Sequence, residues 1–223
     1  MPQAARTTDA TSHGTPLSPG PGSVNVLIGD KPAWRALPAA VAGAMDAISN
    51  TMDAFMKTPI MAPANAAADL AQISQNLTEG GAQAAVAGAP DAVAAASTSL
   101  VTLNAANVAL TAAWTTASVV PGGQPAANQA YTEGIKLAAG VAAAAVVSAM
   151  AGVADMHNCP LPAPPPPHGP GFVTKGSRSV WINDLPVVRQ NDQVMEACGG
   201  ADPITLGCPT VEIGDAGGGG SAG

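Results

Sequence analysis

A nine-residue pattern occurs three times in this chain, and it constrains the fold more than any other feature. Residues 22–30 read GSVNVLIGD, residues 176–184 read GSRSVWIND, and residues 207–215 read GCPTVEIGD. In each copy a Val and an Ile alternate with other residues, which is the period of a strand with one buried face. The closing Gly-Asp or Asn-Asp pair is typical of a tight hairpin turn. The pattern therefore predicts three similar β-units.

The three copies are accompanied by further shared residues. A short strand-like piece ending in Arg follows two of the copies, at Arg35 and Arg189, and an Asp that opens a loop precedes each copy, at Asp9, Asp155 and Asp192. A single hairpin of this size is unstable by itself. We therefore predict that three hairpin units pack about a pseudo-threefold axis, with their Val and Ile faces buried together and their Pro- and Gly-rich loops gathered at one end.

The middle of the chain differs from both ends. Residues 38–154 are dominated by Ala, carry only eight charged residues, and include 41 consecutive uncharged residues between Asp91 and Glu133. A run of apolar or small residues over 137–154 reaches the lower length limit for a membrane span, although Ala contributes little to insertion. Two interpretations follow: a buried or self-associating bundle of Ala-rich helices, or helices that enter a membrane.

These differences divide the chain into four predicted segments. Residues 1–37 hold an N-terminal motif and the first β-repeat, 38–154 form the helical insert, 155–215 hold the second and third repeats, and 216–223 form a flexible Gly-rich tail. Residues 1–20 are polar and lack the apolar stretch of a secretory signal peptide. We therefore expect a mainly β fold of three pseudo-threefold repeats, interrupted by an Ala-rich helical insert, and no export by the signal-peptide route.

Composition argues against several classes of protein. The net charge is −7 and no basic run occurs, which argues against nucleic-acid binding. Three Cys cannot all pair, which argues against a disulfide-stapled secreted domain. Charged residues make up 10% of the chain and aromatic residues 3%, so few large side chains are available for a core. We expect an additional stabilising element, such as a metal ion, a partner protein or a bilayer.

All three histidines lie in the β-like ends of the chain and are candidate metal ligands. His13 and Cys159 each lie four residues after a loop-opening Asp, so a threefold arrangement would bring them to equivalent places at one tip. With His157 and His168 they offer four N and S donors, which suit Zn²⁺ in a closed tetrahedral site. Cys198 is an alternative to His157 as the fourth ligand. The competing interpretation is that these are ordinary turn residues and a buried thiol.

The two ends of the chain also resemble a known family. Residues 4–13 match the pattern AARxxDxxxH, known as the prePAAR motif. Residues 155–160 (DMHNCP), residues 167–169 (PHG) and the last two repeats are similar to a PAAR-repeat domain. The resemblance lies on both sides of the predicted insert, and the combination of motifs is specific.

The resemblance implies a fold, a bound metal ion and a role in a secretion apparatus. PAAR-repeat domains are small cones of β-hairpins that cap the trimeric VgrG-like spike of a type VI secretion system or a related contractile injection machine. The tip of the family holds one structural zinc ion bound by three His and one Cys, which here match His13, His157, Cys159 and His168. Such a chain would be cytoplasmic before firing and would then be secreted at the tip of the apparatus into the target cell envelope.

The resemblance also gives the insert a role. In the prePAAR group, hydrophobic helices separate the N-terminal motif from the main domain, and the segment 38–154 lies in that place. Those helices are associated with a dedicated effector-associated chaperone before export and with membrane passage in the target cell. A chaperone and a target membrane are therefore expected partners of the insert.

Three functional hypotheses follow. The first is a non-enzymatic spike tip that helps to puncture the target envelope and to deliver effectors. The second is a membrane-active effector whose helical insert forms a pore or a translocation path. The third is a zinc hydrolase, which needs an open coordination position and a general base, for which Asp155 and Glu196 are the nearest acidic candidates. We expect the first, because the four predicted ligands leave no open position.

Overall fold

The computed structural model describes residues 1–161 and 167–214. The Pro-rich stretch 162–166 and the predicted tail 216–223 lie outside the described residues, as does Asp215, which closes the third repeat. Within the described part of the chain, four α-helices hold 46% of the residues, and the strands are short and antiparallel.

Four helices form the middle of the chain. They are α1 (Ala39–Lys57), α2 (Pro63–Val86), α3 (Asp91–Ser118) and α4 (Gln124–Ala149). Ala is the strongest helix former, which explains why this composition gives long helices. Each connection contains Pro or Gly, and α2 begins with a Pro at its first position, where the missing N–H has no helical partner anyway. All four helices lie within the segment 38–154.

The helices differ in how they use their apolar residues. Met45, Ile48 and Phe55 of α1 are fully buried in a core that includes residues from all four helices. In contrast, α3 buries only four of its residues, and Leu103 is the only large one among them. Residues such as Val101 on α3 are mostly exposed. Beyond Asp91 at its first position, α3 therefore presents a long, uncharged and partly apolar surface.

The two ends of the chain form the rest of the molecule, here named the β-rich region. Its strands are β1 (Gln3–Ala4), β2 (Pro19–Gly20), β3 (Leu27–Ile28), β4 (Lys31–Pro32), β5 (Met156–Cys159), β6 (Gly169–Val173), β7 (Trp181–Ile182), β8 (Leu185–Pro186), β9 (Gln193–Glu196), β10 (Gly200–Pro203) and β11 (Cys208–Glu212). β10, β9, β6, β5 and β2 form one sheet in that order, and β1–β11, β3–β4 and β7–β8 form three two-stranded sheets.

This architecture corrects the predicted fold class. The prediction of a mainly β cone of three hairpin repeats with a helical insert is wrong, because helices make up 46% of the described residues and none of the sheets closes. The β3–β4 and β7–β8 hairpins of the repeats hold only two residues per strand. Pro cannot donate a ladder hydrogen bond and Gly has no side chain to pack, so segments rich in both make short strands. The Ala-rich middle contributes more regular structure than the repeats do.

A ring of three backbone hydrogen bonds joins three segments of the β-rich region. The N–H of Ala5 donates to the carbonyl of Val188, that of Val188 to Trp34, and that of Trp34 to Ala5, at 2.9, 2.9 and 3.0 Å. Each segment therefore donates once and accepts once, which is a local pseudo-threefold arrangement. Trp34 is fully buried beside this ring, in a small core that includes Leu17.

Three Arg–Asp pairs repeat in the same segments. In each pair the Asp accepts hydrogen bonds from the backbone N–H and from the guanidinium group of the same Arg. The pairs are Arg6–Asp9, Arg35–Asp155 and Arg189–Asp192. The partners lie three positions apart in the first and third pairs, whereas residues 36–154 separate them in the second. The helices are thus inserted where the other two units have a short turn.

The helices also pack against the five-stranded sheet. Phe172 of β6 and Met195 of β9 belong to the same buried core as α1 and α4. Cys198 lies against α4, with its Sγ 3.6 Å from the carbonyl oxygen of Gly140. One core therefore connects the helices to the strands that carry the candidate site.

Candidate metal centre

The ends of two neighbouring strands bring three of the predicted ligands together. Cys159 is the last residue of β5 and pairs in register with Gly169, the first residue of β6. His168 directly precedes β6, so it lies beside Cys159. His13 reaches the same place from the loop between β1 and β2, and its Nδ1 lies 3.6 Å from the Sγ of Cys159.

A fourth donor comes from the next strand of the sheet. Glu196 is the last residue of β9 and lies opposite Gly171 of β6. Its Oε1 lies 3.2 Å from Nδ1 of His13, and its Oε2 lies 2.7 Å from Nδ1 of His168. The carboxylate therefore faces both imidazoles at once.

These donor atoms lie close enough together to share one metal ion. The Sγ of Cys159 lies 3.9 Å from Nδ1 of His168, and the donor atoms of His13, Cys159, His168 and Glu196 all lie within 4.8 Å of one another. Zinc–ligand bonds of about 2.0–2.3 Å place the ligands of a tetrahedral ion about 3.3–3.8 Å apart. This set of four residues, here named the first donor group, could therefore hold a metal ion.

The surroundings of Glu196 fit a bound cation. Its side chain is fully buried, and its Oε2 accepts no hydrogen bond although Nδ1 of His168 is 2.7 Å away. A buried carboxylate oxygen without a hydrogen bond is costly. In the described part of the chain, Glu196 forms ion pairs only with His13 and His168. A cation held among these donors would compensate the buried carboxylate.

Burial disfavours the charged forms of Cys159 and Glu196 in the first donor group when it is metal-free. It raises the pKa of the Cys159 thiol to about 11, and it raises the pKa of the Glu196 carboxyl above its ordinary value. Both groups are therefore easier to bury in their protonated forms. A divalent ion would stabilise the thiolate and the carboxylate directly, so metal binding and proton release are coupled.

His157 lies next to the first donor group but outside it. It is fully buried, and its Nε2 lies 3.2 Å from Oγ1 of Thr15 and 4.0 Å from Oδ2 of Asp202. Burial lowers the pKa of its imidazole, which favours the neutral form that can bind a metal. His157, Glu196 and Asp202 make up a second donor group, whose atoms also lie within 4.8 Å of one another.

The structure therefore brings three of the four predicted ligands into one group. His13, Cys159 and His168 meet there together with Glu196, and His157 belongs to the second donor group. Cys198, the alternative fourth ligand, packs against α4 instead, and burial raises the pKa of its thiol to about 12.

The two acids considered for a hydrolase have different positions. Both carboxylate oxygens of Asp155 accept hydrogen bonds from Arg35 or from the backbone of Gly22. Asp155 therefore ties β-rich segments together and belongs to neither donor group found in the described residues. Glu196 does lie at the site, as a ligand candidate.

The sequence analysis does not identify Glu196 and Asp202 as candidate metal ligands. Their spacing from the histidines follows no ligand motif. A usable signal lies in the local pattern, because each is the only acid in a strand of otherwise apolar, small or uncharged residues, QVME and GADP. An acidic residue that a strand pattern places in the core needs a cation or several hydrogen bonds.

Four protein donors fill a tetrahedral coordination shell, which is the arrangement of a structural metal site. The chain matches no protein-family model, no curated protein and no solved structure. The features that bear on function are therefore those of the molecule itself: the threefold ring, the two donor groups and the exposed surface of α3.

Proposed function

We propose that this protein is a zinc-stabilised tip that caps the trimeric spike of a type VI secretion system or a related contractile injection machine. The observation that carries the proposal is the hydrogen-bonded ring through Ala5, Trp34 and Val188, which gives one chain a local pseudo-threefold axis. A trimeric partner presents three identical surfaces around its axis, and a pseudo-threefold chain can contact each of them in an equivalent way. The prePAAR and PAAR-like motifs support the same role.

Two exposed hairpins are the proposed contact with the spike. Leu27 in β3 and Trp181 in β7 occupy the same position of the repeat, and they expose 62% and 54% of their surface. Large exposed apolar side chains at equivalent positions favour docking on a partner. The short strands of these hairpins offer edges that the β-structure of a spike could continue.

Zinc is the metal that best suits the first donor group. Two imidazoles, one thiolate and one carboxylate are suitable ligands for tetrahedral Zn²⁺. The four ligands come from separate segments, so the ion would tie the N-terminal motif to the C-terminal half of the chain. A structural zinc ion contributes on the order of 10 kcal/mol to folding. A closed shell leaves no place for a substrate at this ion, so the role we propose for it is structural, and we propose no enzymatic activity.

Complex formation with a purified trimeric VgrG-like spike protein tests this function. We expect native mass spectrometry to find one chain per trimer. Trp181→Asp should weaken the complex about tenfold or more, because it places a charge in the proposed interface. Val86→Asp is the matched control, since Val86 is 92% exposed and belongs to α2 rather than to the β-rich region. Unchanged binding of the Trp181 variant, or three chains per trimer, would contradict the proposal.

A second candidate function rests on α3 and α4. Both helices are long and apolar enough to cross a membrane by length and composition alone. Core helices of soluble proteins pass the same test but are mostly buried, whereas only 17% of the apolar window of α3 is buried here, and 39% of that of α4. We propose that this surface binds an effector-associated chaperone before export and enters the target membrane afterwards, as a pore or translocation path.

Release of a dye from phosphatidylethanolamine–phosphatidylglycerol liposomes by the full chain tests the membrane role. We expect the double variant Val101→Lys, Val108→Lys to lose most of the release, because both residues are exposed on α3 and Lys is costly inside a bilayer. Val86→Lys, on the exposed part of α2, should keep it. Equal release by the double variant and the unmodified protein would contradict a membrane role for α3.

A further inference from the structure

The second donor group lies beside the first and shares a ligand with it. His157, Glu196 and Asp202 are all fully buried, and Glu196 belongs to both groups. Together the two groups form a row of donors. The order of the residues in the row is His168, Glu196, His13, Asp202, His157. The closest donor atoms of neighbouring residues in this order are 2.7, 3.2, 3.2 and 4.0 Å apart.

One ion cannot bind the whole row. Two ligands of the same ion are separated by at most twice the metal–ligand bond, which is about 4.6 Å for bonds of about 2.3 Å. The donors divide into two groups even at a limit of 4.8 Å, and His157 and Asp202 fall outside the first group. An ion held by the first donor group would therefore leave these two residues without a metal contact.

An unpartnered oxygen of the second donor group points to a second ligand. Oδ2 of Asp202 is buried and has no hydrogen-bond partner in the described part of the chain. The His157 atom nearest to it is Nε2, which lies 4.0 Å away. The other oxygen of Asp202 is fully used, because Oδ1 accepts from Oγ of Ser12 at 2.8 Å and from the backbone N–H of His13 at 3.1 Å. One oxygen thus fixes the carboxylate in place while the other stays available.

The charge of this group also needs compensation. Asp202 and Glu196 are both fully buried, and within the described residues they form ion pairs only with histidines. One divalent ion bound by the Cys159 thiolate and Glu196 is already neutralised by those two ligands. The carboxylate of Asp202 would then have only the imidazoles of His13 and His157 beside it, and a buried carboxylate without a cation is unfavourable.

We propose that His157, Glu196 and Asp202 form a second divalent-cation site, joined to the first by the shared carboxylate of Glu196. Two carboxylates and one imidazole are harder donors than the thiolate-containing first group, so the second site suits ions such as Mn²⁺ and Co²⁺. Pairs of cations about 3.5–4 Å apart occur in other protein sites. The second site does not depend on the spike-tip role; it adds an ion to the metal centre.

Titration of the chelator-stripped full chain with Co²⁺ separates the two sites. A thiolate ligand gives Co²⁺ a charge-transfer absorption band, and only the first donor group contains a Cys. We expect two Co²⁺ per chain by elemental mass spectrometry after desalting. The thiolate band should be complete after the first equivalent, because three protein ligands should bind the second ion more weakly than four bind the first.

Asp202→Asn removes the unpartnered oxygen and little else, since Asn keeps the Oδ1 that accepts from Ser12 and His13. We expect the Co²⁺ content to fall from two to one per chain with the thiolate band unchanged. Asp46→Asn is the matched control, because Asp46 also accepts through Oδ1, from Thr174, but lies outside both donor groups. Should circular dichroism show that Asp202→Asn is unfolded, His157→Gln replaces it with the same expected loss.

The outcomes separate the two sites. One Co²⁺ per chain in the unmodified protein, with a full thiolate band, would overturn the second site and leave the first in place. Two Co²⁺ per chain in folded Asp202→Asn or His157→Gln protein would overturn it as well. Absence of the thiolate band would instead contradict the metal ligation by Cys159 on which the proposed function depends, so the two failures are distinguishable.

Discussion

The helical and β-rich regions of this molecule are stabilised in different ways. The helices are held together by an apolar core that includes residues such as Met45, Ile73 and Tyr131. The β-rich region has strands of two to five residues, and Arg–Asp pairs, a backbone ring and clustered histidines and acids connect its segments. A helix satisfies most of its own backbone groups, whereas short Pro- and Gly-rich strands do not. Where local hydrogen bonding is sparse, this chain uses long-range polar contacts.

Among the variants considered, removal of the Asp155 carboxylate should lower the stability of the protein most. The carboxylate is fully buried and accepts from the backbone and guanidinium of Arg35 and from the backbone of Gly22. Asp155→Ala leaves the Arg35 guanidinium without its carboxylate partner, so the free energy of unfolding should fall by about 3–5 kcal/mol in urea titrations.

An exposed ion pair in the helical region is the matched control. Asp53 and Lys57 of α1 form a pair four residues apart, and the Lys57 side chain is 74% exposed. Asp53→Ala should lower the free energy of unfolding by less than about 1 kcal/mol. Equal losses for Asp53→Ala and Asp155→Ala would show that polar pairs contribute alike in the two regions, contrary to the comparison.

Close packing predicts an intermediate effect within the helices. A Cβ at Gly81 of α2 would lie 2.7 Å from the carbonyl oxygen of Ala92 and 2.9 Å from the Cβ of Ala96 in α3. Gly81→Ala should therefore lower the free energy of unfolding by about 1–3 kcal/mol. A Cβ at Gly43 of α1 would meet nothing within 4 Å, so Gly43→Ala should raise it by about 0.5–1 kcal/mol. Thermal melts that shift in the same direction for both variants would disprove the packing argument.

Glu196→Gln should change the free energy of unfolding of the metal-free protein least among these variants. The sign of the change should depend on whether the metal is bound. Burial raises the pKa of Glu196, so the folded protein holds this proton more tightly than the unfolded chain does. That contribution to stability is complete below the pKa of the unfolded chain and is lost as the pH rises through the folded-state pKa. Gln does not ionise, so the metal-free variant should lose less stability than the unmodified protein over this pH range.

With Zn²⁺ bound, the unmodified protein should be more stable than the Glu196→Gln variant, because the ionised carboxylate is then a ligand that Gln cannot replace. Urea titrations over a pH series, with a chelator and with Zn²⁺, measure both comparisons. A variant that is more stable than the unmodified protein under both conditions would show that Glu196 is not a metal ligand.

The sequence predicts the two regions to different extents. The helices follow from local properties, namely the Ala content and the Pro and Gly residues that separate them. His13, Cys159 and His168 were found because the repeat places them in loops of one system. The sequence does not identify Glu196 as a candidate ligand, because Glu196 joins them only through the register of β9 with β6, where it lies opposite Gly171. Register is decided by packing between distant segments, which no local pattern shows.

The predicted fold class is wrong for a related reason. The repeat shows the alternation of a strand, but alternation does not give the length of a strand or the closure of a sheet. In the structure the β3–β4 and β7–β8 hairpins are two residues long on each side, and the sheets stay open. The insertion of the helices between Arg35 and Asp155 could have been found by aligning the three Arg–Asp pairs, whose spacing is three residues in the other two units.

A metal ion should stabilise the β-rich region, whereas apolar packing should stabilise the helices. Hydrogen exchange of the full chain, measured with zinc bound and after its removal by a chelator, separates these two contributions. We predict that chelation accelerates exchange in β5, β6 and β9, which carry or adjoin the ligands, and leaves α1 and α2 unchanged. Unchanged exchange in those strands after complete removal of the metal, or equal acceleration in α1 and α2, would contradict the claim.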